Sequence, residues 1–145
     1  MGHLSKGEYE ALLTFRVALR GFLRFTEEGA RAVGLTPQQH QVLLAIMGQK
    51  GRDQASVGEI ASALYISHHA AVGLVNRCQA AGLVTRSHDE PDRRTVMVSP
   101  TAHARELLGR LSAANLAELH LLSHALATAL KDTMITPRES INLEG

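Results

Sequence analysis

Leu12, Phe15, Leu19 and Phe22 recur three and four residues apart in a proline-free stretch from residue 6 to residue 33, so they fall on one face of a long amphipathic helix. Gly34 stops that helix. Thr36-Pro37-Gln38-Gln39 then offers an N-cap, a first-turn proline and a capping-box glutamine, which starts a second helix over HQVLLAIM ending near Gly48. The polar stretch GQKGRDQA reads as a loop, after which Ser56 and Glu59 form another capping box ahead of the short helix VGEIASALY. Tyr65-Ile66 turn the chain, and Ser67 caps a fourth helix through HHAAVGLVNRCQAAG, where Gly82 sits at the usual left-handed stop.

Beyond Gly82 the period changes. Leu83 to Ser87 and Thr95 to Val98 are β-prone, and the tip between them is rich in Asp, Glu, Pro and Arg, so the segment reads as a hairpin with a charged tip. From Thr101 to about Lys131 helical spacing returns through Leu108, Leu111, Leu119, Leu122, Leu126 and Leu130, with a break expected near Ser123. The tail DTMITPRESINLEG is polar and is expected to fray or to pack loosely on a partner. A short capped helix, a tight turn, a second helix and a hairpin in that order specify a winged helix-turn-helix. The fold expected is therefore mainly α with a small β-hairpin wing, a single domain over 1–145 whose winged lobe spans 36–100, flanked by long dimerisation helices over 4–33 and 101–135.

Composition narrows the function classes. The 145 residues are 45% hydrophobic and 20% charged, which suits one globular domain. No apolar run reaches the roughly 18 residues that cross a bilayer, and the start MGHLSKGEYE lacks a secretory apolar stretch, so a cytoplasmic location is expected. The single cysteine, Cys78, agrees with a reducing compartment. The formal net charge is only +1, so a role with nucleic acid has to be argued locally. Between His68 and Val98 stand Arg77, Arg86, Arg93 and Arg94 with His68, His69 and His88, against Asp89, Glu90 and Asp92. A mixed-charge cluster of this kind, taken alone, is better read as a solvated face.

The string SVGEIASALYISHHAAVGLVNRCQAAGLVTRSHDEPDRRTVMVSPTAHARELL, from Ser56 to Leu108, resembles the MarR family of winged helix-turn-helix transcription regulators, and GLTPQQHQVLLAI resembles that family's second helix. The resemblance implies a homodimer that binds double-stranded DNA at an inverted-repeat operator, repression being the default mode. It also implies which residues meet the duplex. Ser67, His68, His69, Ala70, Val72 and Gly73, with Asn76 and Arg77 one turn on, would face base edges in the major groove. Many relatives carry a more polar residue near Val72 and an arginine near Gly73, so this chain offers fewer direct base contacts and leans on its wing and on DNA shape. In the wing Asp92 and Arg94 match the family's Asp-x-Arg pattern, Asp92 orienting the guanidinium of Arg94 into the minor groove, while Arg86 and Arg93 would meet phosphates and His88 would join the DNA-binding set.

The apolar stripes of the two long helices need covering, and a second copy would do it; Asn115 near the later stripe is either a register-setting polar residue or simply exposed. The resemblance further implies a small aromatic or phenolic effector, with Phe15, Arg16, Leu19, Phe22, His40 and Leu44 as lining candidates; their other reading is plain packing. No cofactor or metal is required. Some relatives sense peroxide or zinc, but Cys78 stands where the family has a buried leucine, and His120 and His124, four residues apart, lack further ligands. Catalysis has no nucleophile elbow, phosphate loop or metal cluster to carry it. A winged helix that binds another protein in place of DNA is the alternative function.

Overall fold

The computed structural model describes residues 2–88, 94–131 and 133. Helix α1 runs Lys6–Ala32, α2 Pro37–Met47, α3 Val57–Leu64, α4 His68–Ala80 and α5 Ala102–Lys131; the strands are β1 Ala55–Ser56, β2 Val84–His88 and β3 Val96–Pro100. Three of the helices start on reciprocal capping boxes. Ser5 and Glu8 make one at α1, Thr36 and Gln39 one at α2, and Ser56 and Glu59 one at α3, each exchanging side-chain and backbone hydrogen bonds that satisfy orphan N–H groups. The Ser5 box was not anticipated in the sequence reading. Helix α5 continues through Ser123, where a break was expected; leucine and alanine on both sides keep helical propensity high.

The hairpin is part of a three-stranded antiparallel sheet of order β1-β3-β2. Ala55 pairs with Val98 and Ser56 with Met97, so the end of the polar loop supplies a strand that the sequence reading left out. Both β2 and β3 begin one residue later than expected. Thr101 ties the sheet to α5: its backbone N–H donates to Leu83 O, its hydroxyl to Gly82 O, and the same oxygen accepts from Ala104 N.

The chain divides into two compact units, Thr26–Ala113 and the remainder formed by Met1–Phe25 with Ala114–Gly145. The first of these holds the core. Ala30, Leu35, Val42, Leu43, Ile46, Ile60, Leu74, Val75, Cys78, Leu83, Val98, Ala104 and Leu107 are buried together from α1, α2, α3, α4, the sheet and α5. Each large aliphatic in that set contributes about 1.5–3 kcal/mol of burial free energy, which fixes α3 and α4 against one another. In the other unit none of the described residues is buried. Among the described residues no helix is long and apolar enough to cross a membrane.

Candidate nucleic-acid interface

The candidate interface begins at the turn between α3 and α4. Tyr65 closes α3 in the left-handed region at φ 55° and ψ 42°, its N–H and that of Ile66 returning to the carbonyls of α3, with Ile66 N 3.1 Å from Ala61 O. Two residues later Ser67 caps α4, its hydroxyl accepting from Ala70 N at 3.1 Å. The helix is then oriented by one face. Ala71, Leu74, Val75 and Cys78 are buried in the core, at the i, i+3, i+4, i+7 spacing of a single helical face.

The opposite face is open. His68, His69, Ala70, Asn76 and Arg77 are exposed, Ser67 at the cap is exposed, and Val72 and Gly73 are half-buried. No acidic residue occurs in HHAAVGLVNRCQA, so this outward surface carries only neutral and cationic groups. The residues assigned to the recognition helix thus share one surface. Arg77 folds back along the helix, so that a Cβ added at Gly73 would meet its Nη1 at 3.6 Å, an ordinary contact.

Strand β2 enters the same surface. Alternation along β2 and the pairing of Arg86 with buried Val98 put Arg86 on the sheet face that also carries buried Val84. That face looks toward α4. Accordingly the Arg86 guanidinium donates from Nη1 to the Gln79 side-chain carbonyl and from Nη2 to that of Asn76. Gln79 was not singled out in the sequence; its spacing of three from Asn76, on the open side of α4, was the available signal. His88 and Arg94 are exposed at the two ends of the hairpin tip. Asp92 and Arg93, and with them the expected Asp92–Arg94 pairing, lie outside the described residues.

A second charged arrangement supports α3. Arg52 reaches Glu59 with both terminal nitrogens, and Glu59 also accepts from Ser56 N. Those hydrogen bonds, led by the one from Arg52, hold the Glu59 carboxyl down at about 2. Arg105 pairs with Asp53 at 3.1 Å across the same loop.

The expected effector residues fall in both units. Phe15 lines a cavity of about 450 Å³ with Leu4, Glu8, Ala11, Leu12, Leu126 and others, and Phe22 lines a separate one of about 320 Å³ with Phe25 and Glu118. Arg16 is exposed and Leu19 half-buried on α1. His40 and Leu44 belong to the unit that holds the core, where His40 is buried and desolvation lowers its pKa, while Leu44 is exposed. Cys78 is fully buried, and burial pushes its thiol up to about 11, which makes it a small apolar core side chain. His120 and His124 are exposed on α5, and no group of three or more potential metal ligands occurs among the described residues. Asn115 is half-buried.

Comparison with known proteins supplies the context for this surface. The MarR family model matches residues 33–95, from the end of α1 through the recognition helix into the wing. The HTH-type transcriptional regulator TtmR of Methylorubrum extorquens is 34% identical over 103 residues, covering 71% of this chain and 48% of TtmR, so the chain spans about half the length of that relative. Among solved structures, AbsC, a MarR family transcriptional regulator from Streptomyces coelicolor, aligns with a TM-score of 0.69 at 23% identity, over 90% of this chain and 94% of that one. Sco3205, a MarR family regulator of the same organism solved in complex with DNA, aligns at a TM-score of 0.63 and 18% identity, over 94% of this chain and 81% of that one. These likenesses are to transcriptional regulators, not to enzymes. A MarR family model thus matches the winged lobe of this chain, and its fold is that of solved MarR family members.

Proposed function

We propose that this protein is a transcription regulator that binds double-stranded DNA as a homodimer, represses by covering a promoter, and is released or modulated by a small aromatic or phenolic effector. The observation that carries the reading is the open face of α4: a capped helix with no acidic residue in its own sequence, anchored on its inner side by Ala71, Leu74, Val75 and Cys78, that presents His68, His69, Ala70 and Arg77. A helix of this kind, about 10–12 Å across, fits a major groove about 12 Å wide. In this reading His68 and His69 hydrogen-bond base edges, and Ala70 or Val72 touches thymine methyl groups. Arg94 is assigned to the minor groove and Arg86, His88 and Arg93 to the backbone, with Asp92 orienting Arg94.

Dimerisation is supported by the unit formed by Met1–Phe25 and Ala114–Gly145, where Tyr9, Leu12, Leu13, Val17, Leu116 and Leu121 are exposed and no described side chain is buried. Apolar helices left open in this way call for a partner, and a second copy brings the same surface twice. Of the expected effector residues Phe15 has the best support, since the cavity it lines has a volume suited to a small ligand.

The test is a salt series of binding to genomic fragments, including the region upstream of the protein's own coding sequence, with Arg94→Ala in parallel. Tight retention of a subset of fragments, a steep loss with salt and about 10-fold weaker binding by the variant are expected, a single well-placed arginine contact being worth about 1–3 kcal/mol. No retention at low salt, with a protein partner bound instead, would favour the protein-interaction alternative.

A further inference from the structure

Asn76 and Gln79 lie three residues apart on α4 and both accept from the one guanidinium of Arg86, which arrives from β2. This arrangement departs from the simplest reading of the sequence, in which Asn76 faces a base edge and Arg86 reaches a phosphate independently. With its oxygen turned to Arg86, Asn76 presents to the outside only what its amide nitrogen can donate. Arginine has five N–H donors in a planar fork, and two acceptors on one side leave further N–H groups on its outer edge. A lysine cannot reproduce this, because a single ammonium lacks the fixed spacing that matches two amide oxygens three residues apart on the helix.

We infer that Asn76 and Gln79 are positioning residues, which hold Arg86 flat against the second half of the recognition helix so that its outer edge meets a DNA backbone phosphate. The bridge also ties the root of the wing to the recognition helix, so the two DNA-reading elements approach the duplex as one piece. The inference rests on the DNA-binding function proposed above and deepens it: Asn76 leaves the set of base-reading residues, and Gln79 joins the interface without touching DNA. The order of entropy cost explains the use of two amides. A long arginine side chain free to rotate must be immobilised when it binds, whereas one already bonded to neutral acceptors keeps its full charge and loses less freedom.

The experiment is a double-mutant cycle between Gln79→Met and Arg86→Met, read by binding of the full chain to a 30-base-pair duplex of mixed sequence across a salt series. A phosphate contact is independent of sequence, so the operator need not be known. Arg86→Met should lower the magnitude of the salt slope by about 0.9 per protomer, or about 1.8 for a bound homodimer. Gln79→Met, which changes no charge, should weaken binding about 3–10-fold at low salt, on the scale of an ordinary net hydrogen bond, and should have no further effect in the Arg86→Met background. Arg86→Lys should recover part of the salt slope but remain insensitive to Gln79→Met. Thermal unfolding of each variant separates loss of fold from loss of placement. If the parent chain binds the duplex but Arg86→Met leaves its slope unchanged, or Gln79→Met acts equally in both backgrounds, the positioning role is wrong and the DNA reading stands. If the parent chain does not bind duplex DNA at low salt, both are wrong.

Discussion

Tyr65 occupies a backbone conformation that costs an L-residue about 1–2 kcal/mol, and at 97% exposure its ring gains nothing from the rest of the chain in return. Tyr65→Gly should therefore raise stability by about 0.5–1 kcal/mol, part of the relief being lost to the greater freedom of glycine in the unfolded chain. Urea unfolding measures it; a drop would mean that the ring makes a stabilising contact. Glu59 gives a pH test. Its carboxyl lies at about 2 in the folded chain against its usual 4.5, so its contribution is complete above about 4.5 and is lost as pH falls toward 2. The pair with Arg52 is about one-third exposed on both sides, and solvent screening reduces the contribution to about 1 kcal/mol. Glu59→Gln keeps the capping geometry and should flatten the loss of stability between pH 4.5 and 2, as followed by unfolding at several pH values. Single residues with a local rule were legible in the sequence: Thr36, Ser56, Ser67 and Gly82 all cap or stop helices as read. Arg52 and Gln79 were not, because their partners are chosen by how a loop and a strand fold back onto helices, which no short-range pattern records.

At the scale of elements, periodicity identified the five helices of the described residues and the hairpin, because each carries its own caps and its own period. It failed on β1, whose two residues are a strand only through their pairing with β3. It also broke α5 at Ser123, where a single weak helix former is outweighed by its neighbours and its hydroxyl needs no distortion to reach water. The recognition helix itself carries a helix-weakening residue in Gly73. Since an added Cβ would find nothing nearer than 3.6 Å, Gly73→Ala should stabilise the chain by about 1 kcal/mol through helix propensity. Thermal unfolding would register this as a higher midpoint; a lower one would show that α4 needs a bare backbone at that point even without DNA.

For the whole molecule the two units ask for different partners. The core-bearing unit, Thr26–Ala113, is satisfied by its own packing and offers α4 outward, whereas the unit formed by the chain's outer segments leaves its leucines open. Leu119, 47% exposed on α5, is the residue to charge: Leu119→Glu should convert a dimer to a monomer in sedimentation velocity while the helical content stays near that of the parent. An unchanged sedimentation coefficient would place the subunit contact elsewhere. The apolar stripes behind the proposed dimer were legible in the sequence, and the open face of α4 followed from the order of elements together with the family resemblance. The linkage of wing to helix through Arg86 required the sheet register, which places Arg86 opposite Val98 and over α4.

The most direct measurement for the central claim is selection of duplexes by the full chain from a random-sequence pool, followed by sequencing of what is retained. The proposed homodimeric reader predicts enrichment of a twofold-symmetric site whose half-sites lie about 34–36 Å, or one helical turn, apart from centre to centre. A retained pool with no enriched sequence, or an empty one, would contradict it.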